Sequence, residues 1–178
     1  MTIDYRLANI NDLEKIVLLV QCAIRNMEKN NIDQWDELYP VKEDFENDII
    51  NGDLYVGIID SEIAVVFALN QESDEDYKKG AWVYPERSYY VLHRLCVNPL
   101  FQNRGVATKT MKYIEEMLKH KGIQAVRLDV FSKNPYSQRL YAGAGYVRTG
   151  TADWRKGRFY LMEKYISEQS KYSEIGLE

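Results

Sequence analysis

Residues 92–119 read LHRLCVNPLFQNRGVATKTMKYIEEMLK. The stretch opens with an apolar strand at 92–97 and turns at Asn98-Pro99. A polar loop, Gln102-Asn103-Arg104-Gly105-Val106-Ala107, then runs directly into a helix. Apolar Ala107, Met111, Ile114 and Leu118 are four, three and four residues apart and mark one helical face. Lys112, Glu115, Glu116 and Lys119 cover the rest. A helix that starts from such a loop presents unbonded backbone N–H groups and the positive end of its dipole, which suits a phosphate. No Gly-Lys-Ser/Thr follows Gly105, so this is not a Walker A loop. One glycine where three are required excludes a dinucleotide fingerprint.

Outward from this stretch, the pattern alternates between strands and helices. Residues 2–7 place Ile3, Tyr5 and Leu7 on one side of a strand. Asn11, with Glu14 three residues on, predicts a capped helix with the stripe Leu13, Ile16, Val17, Val20, Ile24 and Met27, ended by Asn30 and Asn31. A second, shorter helix is predicted over 41–50 and ended by Gly52. Two β-branched runs, 54–59 and 63–69, flank Asp60-Ser61-Glu62 as a hairpin. Residues 71–88 form either a mobile loop or an extended hairpin end. The central strand covers 89–97. In 125–131, Val126, Leu128 and Val130 alternate against Arg127 and Asp129, which predicts a further strand. A short helix at 134–142 and strands at 145–149 and 158–164, around a turn at Lys156-Gly157, complete the order. The domain is expected over 1–166, with a polar tail at 167–178.

The composition narrows the class. At 178 residues the chain suits one domain with a sizeable core. A net charge of −4 argues against nucleic acid, whose binders are basic. No apolar run has the length of a membrane span, and no basic-then-apolar leader opens the chain. Two cysteines provide no disulfide framework. Cys22 in a helical pattern and Cys96 in a strand are expected to be buried thiols, and a reducing cytoplasm is the expected location. No metal site is indicated.

Two motifs carry a family resemblance. Gln102-x-x-Gly105-x-Ala107, after a strand ending in Val97-x-Pro99, fits the pattern Gln/Arg-x-x-Gly-x-Gly/Ala. Residues 134–146, NPYSQRLYAGAGY, place Asn134, Ser137 and Tyr141 on one face of a short helix that Gly143 and Gly145 break. Together they resemble the GNAT superfamily of acyl-CoA-dependent N-acyltransferases. The resemblance covers 90–146 closely and 1–70 in element order. It implies an α/β (α+β) fold: a central mixed, mostly antiparallel, twisted sheet flanked by helices, with a V-shaped splay between the two central strands. It implies acetyl-CoA as cosubstrate, with the coenzyme A pyrophosphate on Gln102, Asn103, Arg104, Gly105, Val106, Ala107 and Thr108. Backbone groups of Leu95, Cys96 and Val97, on a strand that bulges and splays, would meet the pantetheine; Asn134 would bind the pantetheine or pyrophosphate region, and Ser137 also the coenzyme. The Tyr141 hydroxyl would lie near the thioester sulfur.

The chemistry expected of such a site is direct transfer of an acetyl group to a primary amine. Tyr141, with an ordinary pKa of about 10, keeps its proton at neutral pH and is suited to protonate a leaving thiolate. His93, on the central strand before the splay, is either the base that deprotonates the amine or a strand histidine with a structural hydrogen bond; ordered water is the alternative base. The acceptor side is expected between the first two helices, at Trp35, Asp36 and Tyr39. There the acids Asp33, Asp36 and Glu37 either favour a cationic amine or are the ordinary solvated side chains of an acidic loop. Trp82 and Tyr84 either wall the same pocket or cover the sheet. The expected partner is a small-molecule amine or a peptide acceptor, with no nucleic acid and no membrane; a homodimer is compatible. A GNAT-like domain that binds acyl-CoA as a sensor, without turnover, is the rival reading.

Overall fold

Seven strands form one sheet in the order β1-β2-β3-β4-β5-β7-β6 in the computed structural model, which describes residues 1–167. The expected polar tail lies, from residue 168 on, outside the described residues. The strands are β1 (Asp4–Leu7), β2 (Leu54–Ile59), β3 (Glu62–Asn70), β4 (Tyr89–Val97), β5 (Ala125–Phe131), β6 (Val147–Trp154) and β7 (Gly157–Tyr165). Neighbouring strands are antiparallel except β4 and β5. The helices are α1 (Leu13–Lys29), α2 (Lys42–Asn51), α3 (Val106–His120) and α4 (Pro135–Gly143). Helices flank a mixed, mostly antiparallel sheet, as the motifs implied.

Alternation along β3 explains the layers. Val66 and Ala68 join Leu13, Ile16, Val20 and Phe45 in a core under α1 and α2. Phe67 and Leu69 face the other way and pack with Met111, Ile114 and Leu118 of α3. Side chains of a strand alternate faces, so one strand serves both layers. The β2–β3 hairpin closes through Asp60 and Ser61, both with positive φ (50° and 68°), the backbone of a two-residue hairpin turn.

The feature that makes a site is the parting of β4 and β5. They pair in parallel only from Tyr89↔Ala125 to Leu92↔Leu128. Beyond Leu92, β4 stays with β3, while β5 stays with β7 as far as Phe131↔Phe159. The parting follows a bulge: between the pairs Val66↔Cys96 and Ala68↔His93, β4 carries one residue more than β3. Arg94 takes the strained backbone there, with φ 51°. Its guanidinium donates to Asp48 of α2 at 2.6 Å and lies 3.8 Å from Asp44, so a helix-borne carboxylate pair holds the bulge from outside the sheet.

Several local expectations shift. The first cap is Asn9, whose Oδ1 accepts from the Asn11 N–H at 2.9 Å, while Asp12 accepts from the Asn9 N–H at 2.8 Å. That box closes a 3-10 turn, and α1 starts at Leu13. β6 starts at Val147 and extends to Trp154, so the β6–β7 turn is Arg155-Lys156. Residues 71–88 hold a 3-10 helix, Glu75–Lys79. Cys22 is exposed, contrary to expectation, because it lies off the buried stripe of α1; Cys96 is buried, and burial pushes its thiol up to about 12.

Candidate active site

The parting of β4 and β5 opens into two cavities of about 620 and 600 Å³. Gln34, Trp35, Leu95, Ser137 and Tyr141 line both, so the cavities meet at the splay.

The second cavity runs along the loop into α3. Leu95, Cys96 and Val97 line it from β4; Gln102, Asn103, Gly105, Val106, Ala107 and Thr108 line it from the loop; Asn134, Ser137 and Tyr141 line it from α4. Asn103 and Gly105 have positive φ (58° and 76°) and Arg104 between them does not. Such alternation turns successive N–H groups to one side as an anion nest. Among the described residues the N–H groups of Gly105, Val106, Ala107 and Thr108 have no acceptor, and no acidic residue stands in the first turn of α3. A Cβ on Gly105 would meet nothing in the protein within 4 Å, so the space over the turn is open to a ligand. The chemistry of this turn fits a pyrophosphate. Gln102 ties it down: its Nε2 donates to the Val97 carbonyl at 3.2 Å, and its Oε1 accepts from Asn26 at 2.9 Å. Asn134 caps α4, accepting from the Ser137 N–H at 3.1 Å, and its Nδ2 donates to Gln34 at 2.8 Å, which straps the 32–40 loop to the cavity.

The first cavity lies on the other side of the splay, between that loop, residues 70–77 and the β6–β7 turn. Tyr141, 8% exposed, sits at the junction. Its hydroxyl has no hydrogen-bond partner among the described residues, and burial, with the nearby charge of Asp129, pushes its pKa well above the ordinary phenol value. It keeps its proton and has a free O–H to donate. Asp129 lines the same cavity from β5 and accepts from the Tyr77 hydroxyl at 2.8 Å. Burial raises its carboxyl to about 6.

These motifs and this splay recur in known proteins. The sequence model of the Acetyltransferase (GNAT) family matches residues 25–146, more than half of the chain. The chain belongs to the GNAT acetyltransferase family. A GNAT-family acetyltransferase from Streptococcus agalactiae is similar in structure, with a TM-score of 0.81 and 28% identity over 92% of this chain and 95% of that one. The PaiA N-acetyltransferase from Thermoplasma acidophilum, solved in complex with coenzyme A, gives a TM-score of 0.69 and 21% identity over 93% and 99%. The ribosomal-protein-S18-alanine N-acetyltransferase from Escherichia coli gives 0.69 and 13% over 96% and 98%. The last two likenesses show the fold alone. Comparison with curated proteins gave no match.

Within this GNAT frame, Arg104 and Asp36 stand differently from their expected roles, and Trp82 and His93 match the second of the two readings given for each. Arg104 is exposed and does not line the cavity; its guanidinium lies 5.2 Å over the Phe101 ring. Trp82 does not line the first cavity. It covers Arg127 at 4.3 Å and donates to the Tyr77 carbonyl at 2.8 Å. Asp36 is already taken: Arg155 donates to both its oxygens at 2.7 and 2.8 Å, Lys156 donates at 3.1 Å, and these bonds hold its carboxyl far below the usual range. His93 lines the cavity, but burial, then the charge of Arg94, lowers its pKa to about 4. Its Nε2 lies 3.0 Å from Asn70 Oδ1 and 3.1 Å from the Glu72 carbonyl. The carbonyl can only accept, so Nε2 carries the proton and donates, leaving Nδ1 as a weak base. Trp35 and Tyr39 do line the cavity.

Asp129 and Tyr77 escaped the sequence reading. The alternation of β5 predicted a strand and gave Arg127 and Asp129 no role; β5 is covered on both faces, and Arg127 is 5% exposed. A strand parallel to its neighbour and followed by a helix is commonly buried on both faces, and that was the available signal.

Proposed function

We propose that this protein transfers an acetyl group from acetyl-CoA to a primary amine by direct attack, in the cytoplasm, within a single domain over residues 1–166. The observation that carries the reading is the unpartnered hydroxyl of the buried residue Tyr141 at the junction of an anion-binding cavity and a second, carboxylate-bearing cavity.

When bound, acetyl-CoA supplies an acetyl carbon activated as a thioester. The N–H groups of residues 105–108 hold the pyrophosphate, helped by the dipole of α3. The open backbone edge of β4 beyond Leu92, at Leu95, Cys96 and Val97, meets the pantetheine, with Asn134 and Ser137 opposite. Trp35, Leu95 and Tyr141 exclude water at the splay. Asp129, ionised at pH 7 with a carboxyl at about 6, accepts a proton from the incoming ammonium. Tyr141 donates its proton to the departing sulfur; the burial that raises the phenol also penalises a bare thiolate. Cys96 takes no part as a nucleophile, since its thiol stays protonated.

The experiment is turnover of acetyl-CoA with a panel of primary amines, read by thiol release. Tyr141→Phe should lower kcat by roughly ten- to ten-thousand-fold with little change in coenzyme A affinity. A wild-type kcat in this variant would make Tyr141 a packing residue. Release with no amine on the panel would favour a sensor that binds without turnover.

A further inference from the structure

The charges around the first cavity do not balance, and the imbalance has a direction. Every cation on its lining is already paired with a carboxylate: Arg94 with Asp48 at 2.6 Å, Arg155 with Asp36 at 2.7 Å, and Lys156 with Asp33 and Asp36. Three carboxylates on the lining, Glu72, Asp74 and Asp129, have no ion-pair partner among the described residues. Asp129 lies at the splay, and Glu72 and Asp74 lie at the exposed rim. One turn joins the two levels. The Tyr77 N–H donates to the Asp74 carbonyl at 2.9 Å, and the Tyr77 hydroxyl donates to Asp129 at 2.8 Å. The charge of Asp74 adds to burial in raising the Asp129 carboxyl, so the two acids repel each other across the cavity. Independently of the acids, the Tyr141 hydroxyl, on a residue 8% exposed, faces the same space with no partner. That places the reacting end of a ligand at the splay and leaves Glu72 and Asp74 for its other end.

We propose that the acceptor is a dicationic aliphatic diamine, one amine reacting between Asp129 and Tyr141 and the second ammonium held at the rim by Glu72 and Asp74. The inference rests on the reading of this cavity as the acceptor side of an acetyltransferase. A methylene chain between the two ends lies against Tyr39, Trp154 and Phe159, which also line the cavity and suit a cation near their ring faces. His93 stays neutral and adds no repulsion. In the reaction, Asp129 takes one proton of the ammonium and passes it to solvent. The amine nitrogen forms the C–N bond to the acetyl carbon, the C–S bond breaks, and the sulfur takes the Tyr141 proton. The second amine proton restores the Tyr141 phenol. The products are a monoacetylated diamine that keeps one positive charge, a free thiol and one released proton.

The test compares butane-1,4-diamine, butylamine and 4-aminobutyrate as acceptors for the full chain with acetyl-CoA. The diamine should exceed butylamine in kcat/KM by about five- to tenfold at low salt, with the advantage shrinking as ionic strength rises. 4-Aminobutyrate should be the poorest. In the double variant Glu72→Gln, Asp74→Asn the diamine-to-butylamine ratio should fall toward one; asparagine keeps the oxygen with which Asp74 caps the Glu75–Lys79 turn. A wild-type preference for butylamine or 4-aminobutyrate overturns the proposal while the acetyltransferase reading stands. A ratio unchanged in the double variant also overturns it. If none of the three amines is acetylated while another primary amine of the panel is, the proposal is overturned and the acetyltransferase reading stands; if no amine of the panel is acetylated, the acetyltransferase reading fails, and calorimetric titration of butane-1,4-diamine into the coenzyme A-loaded protein decides the proposal alone. Salt-sensitive binding that the double variant weakens supports it; no binding overturns it.

Discussion

Asp129 costs stability at the pH where it is proposed to act. Its folded-state carboxyl titrates near 6 against an ordinary value of 3.8, so folding favours the protonated form. The stabilising contribution is fully present below about pH 4 and is lost as pH rises through about 6. Asp129→Asn, which can still accept from Tyr77, should therefore stabilise the protein at pH 7 by about 1–3 kcal/mol, and by much less at pH 4. Urea unfolding at the two pH values measures the difference. The same variant should lower kcat/KM roughly a hundred- to ten-thousand-fold and erase an acid limb near pH 6 in the rate profile. A retained limb would move the base elsewhere, and Nδ1 of His93, titrating near 4, would be the first place to look.

At the scale of elements, the turn into α3 and the 32–40 loop separate binding from packing. Gly105 adopts φ 76° with open space beside it. Gly105→Ala should cost about 1 kcal/mol of stability from backbone strain, without a clash. Gly105→Glu adds a carboxylate where the N–H groups await an anion, so coenzyme A affinity should collapse while circular dichroism stays native. Unchanged affinity by calorimetry would remove the pyrophosphate from this turn. In the loop, Trp35 lines both cavities, whereas Asp36 is bound by Arg155 and Lys156. Trp35→Ala should raise the acceptor KM. Asp36→Asn should lower the melting temperature and leave acceptor kinetics near wild type, because its charge is already neutralised. Bisubstrate kinetics beside thermal melts separates the two outcomes.

Across the whole molecule, the half of the sheet beyond the splay is tied to residues 77–84 by one buried ion pair. Arg127 Nε donates to Glu163 at 3.0 Å, and Glu163 accepts from the Val83 and Tyr84 N–H groups at 2.8 and 3.1 Å. Trp82 and Tyr89 cover the guanidinium at 4.3 and 3.7 Å. Arg127→Met would leave Glu163, which is 0% exposed, without its cation, at an expected loss of about 3–5 kcal/mol. Since the same segment carries Tyr77 and the acidic rim, acceptor KM should rise more than coenzyme A Kd. Urea unfolding and paired KM and Kd measurements test this; equal effects on both ligands would mean that the pair supports the sheet alone.

The chain announces what depends on near neighbours. The 92–119 stretch specifies strand, turn, glycine-bearing loop and amphipathic helix through spacings of one helical turn, and residues 134–146 do the same for α4 with its Asn134 cap. Turn chemistry at Asp60-Ser61 and Gly52 set the hairpin and the end of α2 for the same local reason. What needed the tertiary structure is the partner and the burial of each charge. Asp36 looked free in its loop, but its cations arrive from 119 and 120 residues away. The alternation at 125–131 gave a strand but no partners for Arg127 and Asp129; residues 77–84, β4 and β7 cover them and supply Glu163 and Tyr77. An acid's proton affinity depends on how much water surrounds it and which charges face it. Neither quantity exists until segments far apart in the chain are packed together.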